Sequence, residues 1–259
     1  LFAQARAALP PHRVVGITGT NGKSTTTALI HHIIATAGIP TTLGGNIGLP
    51  ILGQAPLPTG GIYVLELSSY QIDLCHALDC DIAVLLNITP DHLDRYDGFA
   101  DYAAAKERLF TMQHVDKVAV IATEDDRTKM IASRINHRLM RVSSKQVGDQ
   151  SRWPSLQGPH NAQNVAAARA VAEVLGIKAS TIEEALHTYP GLPHRMERVR
   201  ELGGVVYVND SKATNPTSTA PALAAFPAIH WILGGRAKTS ELDACVPYFG
   251  HVRAAYTIG

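Results

Sequence analysis

Residues 13–38 read RVVGITGTNGKSTTTALIHHIIATAG, and the changes of character along this stretch decide the fold. The apolar run at 13–18 predicts a short buried strand. It enters a turn carrying Gly19 and Gly22, and residues 24–37 then predict a helix, with Gly38 as its stop and Pro40 just beyond. Strand, glycine turn and helix in that order make a cradle for a polyanion. Glycine lets backbone N–H groups turn toward an anion with no Cβ in the way, and the helix start adds unpaired N–H groups and the positive end of a dipole. Lys23 supplies a point charge suited to the β- and γ-phosphates of a nucleotide, and Ser24 a hydroxyl suited to Mg2+. The strict pattern G-x-x-x-x-G-K-[ST] is not met, because its first glycine would fall at Ile17 while glycines stand at Gly16 and Gly19.

Outward from the loop the same alternation repeats. Residues 62–67 and 81–87 predict buried strands, 100–113 a helix and 117–122 another strand. Continuous apolar strands between helices predict an α/β domain of three layers around a mostly parallel sheet. Residues 143–158 are polar and read as loop. Helices follow at 161–175 and at 181–188, the latter with Ser180 as its cap. The stretch YPGLPHR (189–195) then packs two prolines and a glycine together and marks a domain boundary. The pattern restarts beyond it, with strands at 205–208, 229–233 and 253–258 and a helix at 217–226. The expected division is therefore 1–190 for a nucleotide-binding domain and 191–259 for part of a second α/β domain.

Composition bounds the function. Hydrophobic residues make up 46% and charged residues 17% of 259, an ordinary globular balance. With 23 basic and 22 acidic side chains, no basic stripe points to nucleic acid and no acidic tail to disorder. Cys75, Cys80 and Cys245 form no CxxC pair, which argues against a disulfide framework or a zinc site and for a reducing cytoplasm. No apolar run approaches the ~18 residues a membrane span needs. The opening LFAQARAALP is too short for a signal peptide and does not start with Met, and VRAAYTIG ends on a strand pattern. Both ends read as cut from a longer protein.

The departure at Ile17 has a counterpart elsewhere. GITGTNGKST (16–25) resembles the ATP-binding loop of the Mur ligases, which use a GT-x-GK-[ST] form. Further blocks of that family follow in order: GGNIGLP (44–50), VLELSSYQ (64–71), NITPDHLDRY (87–96), AAKERLF (104–110), GPHNAQN (158–164), LPHRMERV (192–199), NDSKATN (209–215) and LGGRAK (233–238). The resemblance implies a central ATPase domain followed by the start of a Rossmann-like third domain. The connection at 143–158 is shorter than the family's usual one. ELSSYQ, DHLDRY and NDSKATN are most similar to the members that join D-glutamate to UDP-N-acetylmuramoyl-L-alanine. The activity implied is ADP-forming amide ligation through an acyl phosphate, with ATP, two Mg2+ ions, small-molecule partners and a monomeric, cytoplasmic enzyme. A folylpolyglutamate synthase-like ligase, or a chain that binds ATP without ligating, are the alternatives. The N-K-x-D motif of a GTPase is absent from the sequence.

Single residues divide by what supports them. Glu66 ends a predicted buried strand, where ligands of open α/β sheets collect, so its carboxylate is a candidate Mg2+ holder. His92 follows the next strand, and the resemblance makes it a ligand of a second Mg2+. A helical lysine such as Lys106 is ordinarily a solvated charge. The resemblance alone makes it a carbamylated, metal-positioning group, which needs a neutral amine and hence a lowered pKa. By the same resemblance Gly19, Thr20, Asn21, Gly22, Lys23, Ser24 and Thr25 hold ATP together with Asn164, Arg195 and Asp210. Asn46, Ser68, Lys212, Thr214 and Lys238 face the acceptor and D-glutamate, although Ser68 or Ser69 could equally cap a helix.

Overall fold

The computed structural model describes residues 2–91, 94–235 and 241–258. Six strands, β1 (His12–Thr18), β2 (Thr41–Gly45), β3 (Gly61–Glu66), β4 (Ile82–Leu85), β5 (Val118–Ala122) and β6 (Arg138–Val142), form one sheet in the order β2-β3-β1-β4-β5-β6. Every neighbouring pair is parallel. Around it lie α1 (Phe2–Ala5), α2 (Lys23–Thr36), α3 (Ser69–Asp73), α4 (Phe99–Thr111), α5 (Asp126–Arg134), α6 (Pro159–Val174) and α7 (Ala179–Thr188).

The alternation of side chains along each strand sorts the core into two halves. Val15, Ile17, Ile62, Val64, Val84 and Val120 pack with α2, α6 and α7. Their neighbours Val14, Tyr63, Leu65, Leu85 and Ile121 pack with α3, α4 and α5. Both faces are covered, which is why these strands read as unbroken apolar runs. The three-layer α/β arrangement expected from the sequence is the one observed.

Element ends differ from expectation by a residue or two, and some elements went unread. β2 (TTLGG) is polar and glycine-rich, and β6 (RLMRV) is an edge strand with an exposed arginine at each of two positions, so neither carries a buried-strand pattern. α5 buries only Thr128, Ile131 and Ala132, and is set by Asp125, whose side chain accepts the Thr128 N–H. One expectation is corrected. α7 begins at Ala179 behind an N-cap of Lys178, so Ser180 lies inside the first turn and makes no cap. Within 143–158, Ser144–Gln146 forms a 3-10 turn, and Val147, Trp153 and Leu156 are buried in the α6-side core. The indole N–H of Trp153 donates to Glu183 at 3.0 Å. This connector is thus packed against the core.

Beyond α7 the chain forms an antiparallel pair, β7 (Glu197–Leu202) and β8 (Val205–Asn209), then α8 (Pro216–Ala224) and a parallel pair, β9 (Ile229–Gly234) and β10 (Val252–Ile258). Its buried cluster among the described residues is Ala220, Leu223 and Cys245. The three cysteines are free, with Cys80 and Cys245 buried. No described helix is long and apolar enough to cross a membrane.

Candidate active site

The site lies at the carboxyl ends of β1, β3 and β4. Ile17 of β1 stands opposite Glu66 of β3, and Thr18 opposite Leu85 of β4, so the loop after β1 is flanked by the ends of both neighbours. Gly22 caps α2 with φ 83°, a left-handed conformation natural to glycine. A Cβ there would also collide with the Asn164 amide oxygen. The loop is pinned on each side. Thr20 N–H donates to Asn87 O at 2.8 Å, and the Thr20 hydroxyl is 3.1 Å from the Tyr102 hydroxyl. The Asn21 N–H donates to Asn87 Oδ1 at 2.8 Å, and Asn87 Nδ2 donates back to Asn21 O at 3.1 Å.

Two lysines meet on this loop. Lys23 Nζ donates to Gly19 O at 3.0 Å and Thr20 O at 2.7 Å. Lys106, on α4, is only 1% exposed and donates to the same Gly19 oxygen at 2.8 Å. Its ammonium also lies 4.5 Å from the centre of the Tyr102 ring. A solvated helical lysine is therefore not what the structure contains. Burial pushes the Lys106 pKa well below the ordinary lysine value, and the charge of Lys23 adds to this. Burial lowers Lys23 as well, against the opposing pull of Glu66.

Glu66 is 2% exposed. Its Oε1 accepts from Asn46 Nδ2 at 3.2 Å, whereas its Oε2 is buried with no hydrogen-bond partner among the described residues. Asn46 is brought there by Gly45, at φ 98°, where any Cβ would collide with the Glu66 carbonyl. A buried carboxylate oxygen without a partner is costly, and a divalent cation is the natural complement. The donor set of Glu66 and the Ser24 hydroxyl, all oxygen, suits Mg2+.

A cleft of about 120 Å³ opens from the loop toward the second unit, lined by Asn21, Gly22 and Thr25 on one side and by Arg195, Asp210 and Thr217 on the other. Arg195 Nη2 donates to Ser24 Oγ at 2.9 Å across it. The turn that presents Arg195 is unusual, because His194 (φ 63°) and Met196 (φ 47°) are both left-handed without being glycine. It is held by the Met196 N–H, which donates to Asp210 Oδ1 at 3.0 Å. Asn164, on α6, is buried against α2, where it accepts from Thr26 and donates to Asn161, both at 3.1 Å. Ser68 caps α3 in a reciprocal box with Gln71, and Ser69 is buried. Lys212 and Thr214 are exposed and stand outside the residues lining the cleft. His92 and Lys238 lie outside the described residues.

Other polar groups of the site were not singled out from the sequence. Asn87 lies just beyond the apolar run of β4, as Glu66 closes that of β3, and a polar residue at the end of such a run was available as a signal. His160 and Tyr189 line the cleft. Burial holds the His160 imidazole neutral, with its pKa down at about 4. Nothing in their spacing marks them, because α6 and α7 reach the loop only through tertiary packing.

The sequence pattern of the Mur ligase middle domain matches residues 17–157, more than half of the chain. The chain belongs to the Mur ligase family. Two curated relatives of this Mur ligase chain are UDP-N-acetylmuramoylalanine--D-glutamate ligases, from Sphingopyxis alaskensis (61% of that protein's length covered) and Novosphingobium aromaticivorans (60% covered). Each is 64% identical over 100% of this chain. The chain thus spans about three fifths of the length of the curated relatives it matches. Among solved structures, MurF from Acinetobacter baumannii superposes with a TM-score of 0.76 at 20% identity, covering 99% of this chain and 70% of that one. MurF ligase from Thermotoga maritima in complex with ADP gives 0.77 at 18%, covering 99% and 68%. These two likenesses establish a shared Mur ligase fold.

Proposed function

We propose that this Mur ligase chain carries the ATP-cleaving part of an enzyme that joins D-glutamate to UDP-N-acetylmuramoyl-L-alanine. The observation that carries the reading is the meeting of Lys23 and Lys106 on the Gly19 carbonyl, beside a buried Glu66 oxygen that has no hydrogen-bond partner among the described residues. Two lysines and a buried carboxylate at a glycine loop suit a nucleoside triphosphate and its metal. The identity to the two D-glutamate ligases supports the choice of acceptor and amino acid.

In this reading Gly19 to Thr25 wrap the phosphates and Lys23 turns from the loop carbonyls to the β- and γ-phosphates. Glu66 and Ser24 would hold one Mg2+. Lys106, whose burial favours the neutral amine, would take up CO2 as a carbamate and with His92 would hold a second ion, which would neutralise charge between carboxylate and triphosphate. The alanyl carboxylate attacks the γ-phosphorus, the bond to the bridging oxygen breaks and ADP leaves. The amine of D-glutamate then attacks the acyl carbon and phosphate departs. Positioning and charge neutralisation lower the barrier. Asn164, Arg195 and Asp210 serve the nucleotide from α6 and the second unit, a division we place at 190/191. Asn46, Ser68, Lys212, Thr214 and Lys238 serve the acceptor and amino acid.

The test is phosphate release from ATP with each acceptor and amino acid supplied in turn. D-glutamate together with UDP-N-acetylmuramoyl-L-alanine should be required. Equal release with folate and L-glutamate, or release independent of both substrates, defeats the proposal.

A further inference from the structure

Asn87 grips both backbone polar groups of Asn21, and it is itself gripped from behind. Its Nδ2 donates to Gln163 Oε1 at 2.7 Å, and Gln163 Nε2 donates to Glu124 Oε2 at 2.7 Å. The direction of this chain is fixed at both ends. The Asn21 N–H can only donate, so it turns the Asn87 oxygen toward the loop and the Asn87 amino group toward Gln163. The Glu124 carboxylate at the far end accepts, so it turns the Gln163 amino group outward. Neither amide can flip without setting two donors or two acceptors face to face. Gln163 is 9% exposed, and it precedes Asn164, whose amide oxygen abuts Gly22.

We infer that Asn87, Gln163 and Glu124 form a one-way hydrogen-bond relay that sets the peptide orientation of the phosphate loop from α6 and the end of β5. These are positioning residues, with Asn87 acting on the Asn21 backbone and Gln163 and Glu124 acting through Asn87. The relay couples the helix beside the cleft to the loop that would hold the triphosphate. Its effect on nucleotide binding rests on the function proposed above, while its effect on the loop does not.

The experiment therefore has two readouts on the same protein. Amide hydrogen exchange at Asn21 without nucleotide reads the relay, and titration with Mg-ATP reads the site. Asn87→Ala should speed exchange about tenfold, the loss expected for one buried hydrogen-bond partner, and weaken Mg-ATP by a similar factor. Gln163→Met keeps the volume without a charge and should give a smaller change in the same direction. Gln163→Glu sets two carboxylates together and should also speed exchange. Adding Glu124→Gln to it restores a donor facing an acceptor, keeps the net charge of the wild type and should bring exchange back to within about twofold. Unchanged exchange in Asn87→Ala, or no recovery in the Gln163→Glu, Glu124→Gln pair, overturns the relay. Absence of Mg-ATP binding in the wild type would instead sink the proposed function and leave the exchange data to decide the relay.

Discussion

All six residues of β3 are buried, whereas none of the seven of β10 is. β1 and β4 resemble β3, and β7, β8 and β9 resemble β10. The first unit has helices on both faces of its sheet, and its core runs through two large clusters. The second unit leaves Ile232, Tyr256 and Ile258 between 49% and 67% exposed. The difference separates two ways of supplying a site. Glu66, Lys23 and Lys106 stand at the carboxyl end of an inner strand and on helices whose places are fixed by burial. Arg195 and Asp210 come from a unit with little core, and their turn needs two left-handed non-glycine residues, each costing about 1–3 kcal/mol.

If the first unit holds the chemistry, Lys23→Ala should lower ATP-dependent phosphate release by about 10²–10³-fold, the scale for losing one charge-stabilising donor. Initial rates at saturating substrate check this, and wild-type rates in the variant would dissolve the contrast. Next in size is stability. Ile17→Ala, in the core, should cost about 2–5 kcal/mol in denaturant melts. Ile232→Ala, 67% exposed, should cost under about 0.5 kcal/mol, and equal losses would show the second unit to be as well packed as the first.

His160 borders both units and gives a pH test. Its folded pKa, at about 4, lies below the unfolded value of 6.5, so between them the unfolded chain binds the extra proton. The His160 contribution is whole above pH 6.5 and is lost as pH falls toward 4, by about 3 kcal/mol at the limit. His160→Phe should flatten that part of the stability–pH curve, and an unaltered slope would refute the assignment.

Lys106→Met should separate stability from function. Removing a buried amine should stabilise the fold by about 1–3 kcal/mol while phosphate release is lost. A 13C carbamate resonance in the wild type, absent from the variant, tests the modification directly. A less stable variant with full activity counts against both readings. The smallest effect on turnover belongs to the second unit. Arg195→Met should raise the KM for ATP about tenfold, the worth of one hydrogen bond to a charged group, with kcat changed less.

The loop 16–25 was legible because its chemistry is local, in that strand, glycines and helix start are neighbours in sequence. Glu66 was legible for a related reason, since a carboxylate at the end of an apolar run can be found without knowing its partners. Lys106 was not, because a lysine on a helix carries no mark of burial, and only the resemblance of AAK to a family pattern singled it out. Asn87 and Gln163 escaped altogether, as their meaning lies in each other, 76 residues apart.

By itself the sequence determined the alternation of strand and helix, the covered parallel sheet and the phosphate loop, all of which follow from apolar spacing and glycine conformation over a few residues. The tertiary structure alone decided that two lysines share one carbonyl, that one Glu66 oxygen is sealed without a partner among the described residues, and that α6 reaches the loop through Asn87. Periodicity fixes which face of an element is buried. It does not fix which residues from distant elements meet, because that depends on the order of strands in the sheet and the packing of helices across it.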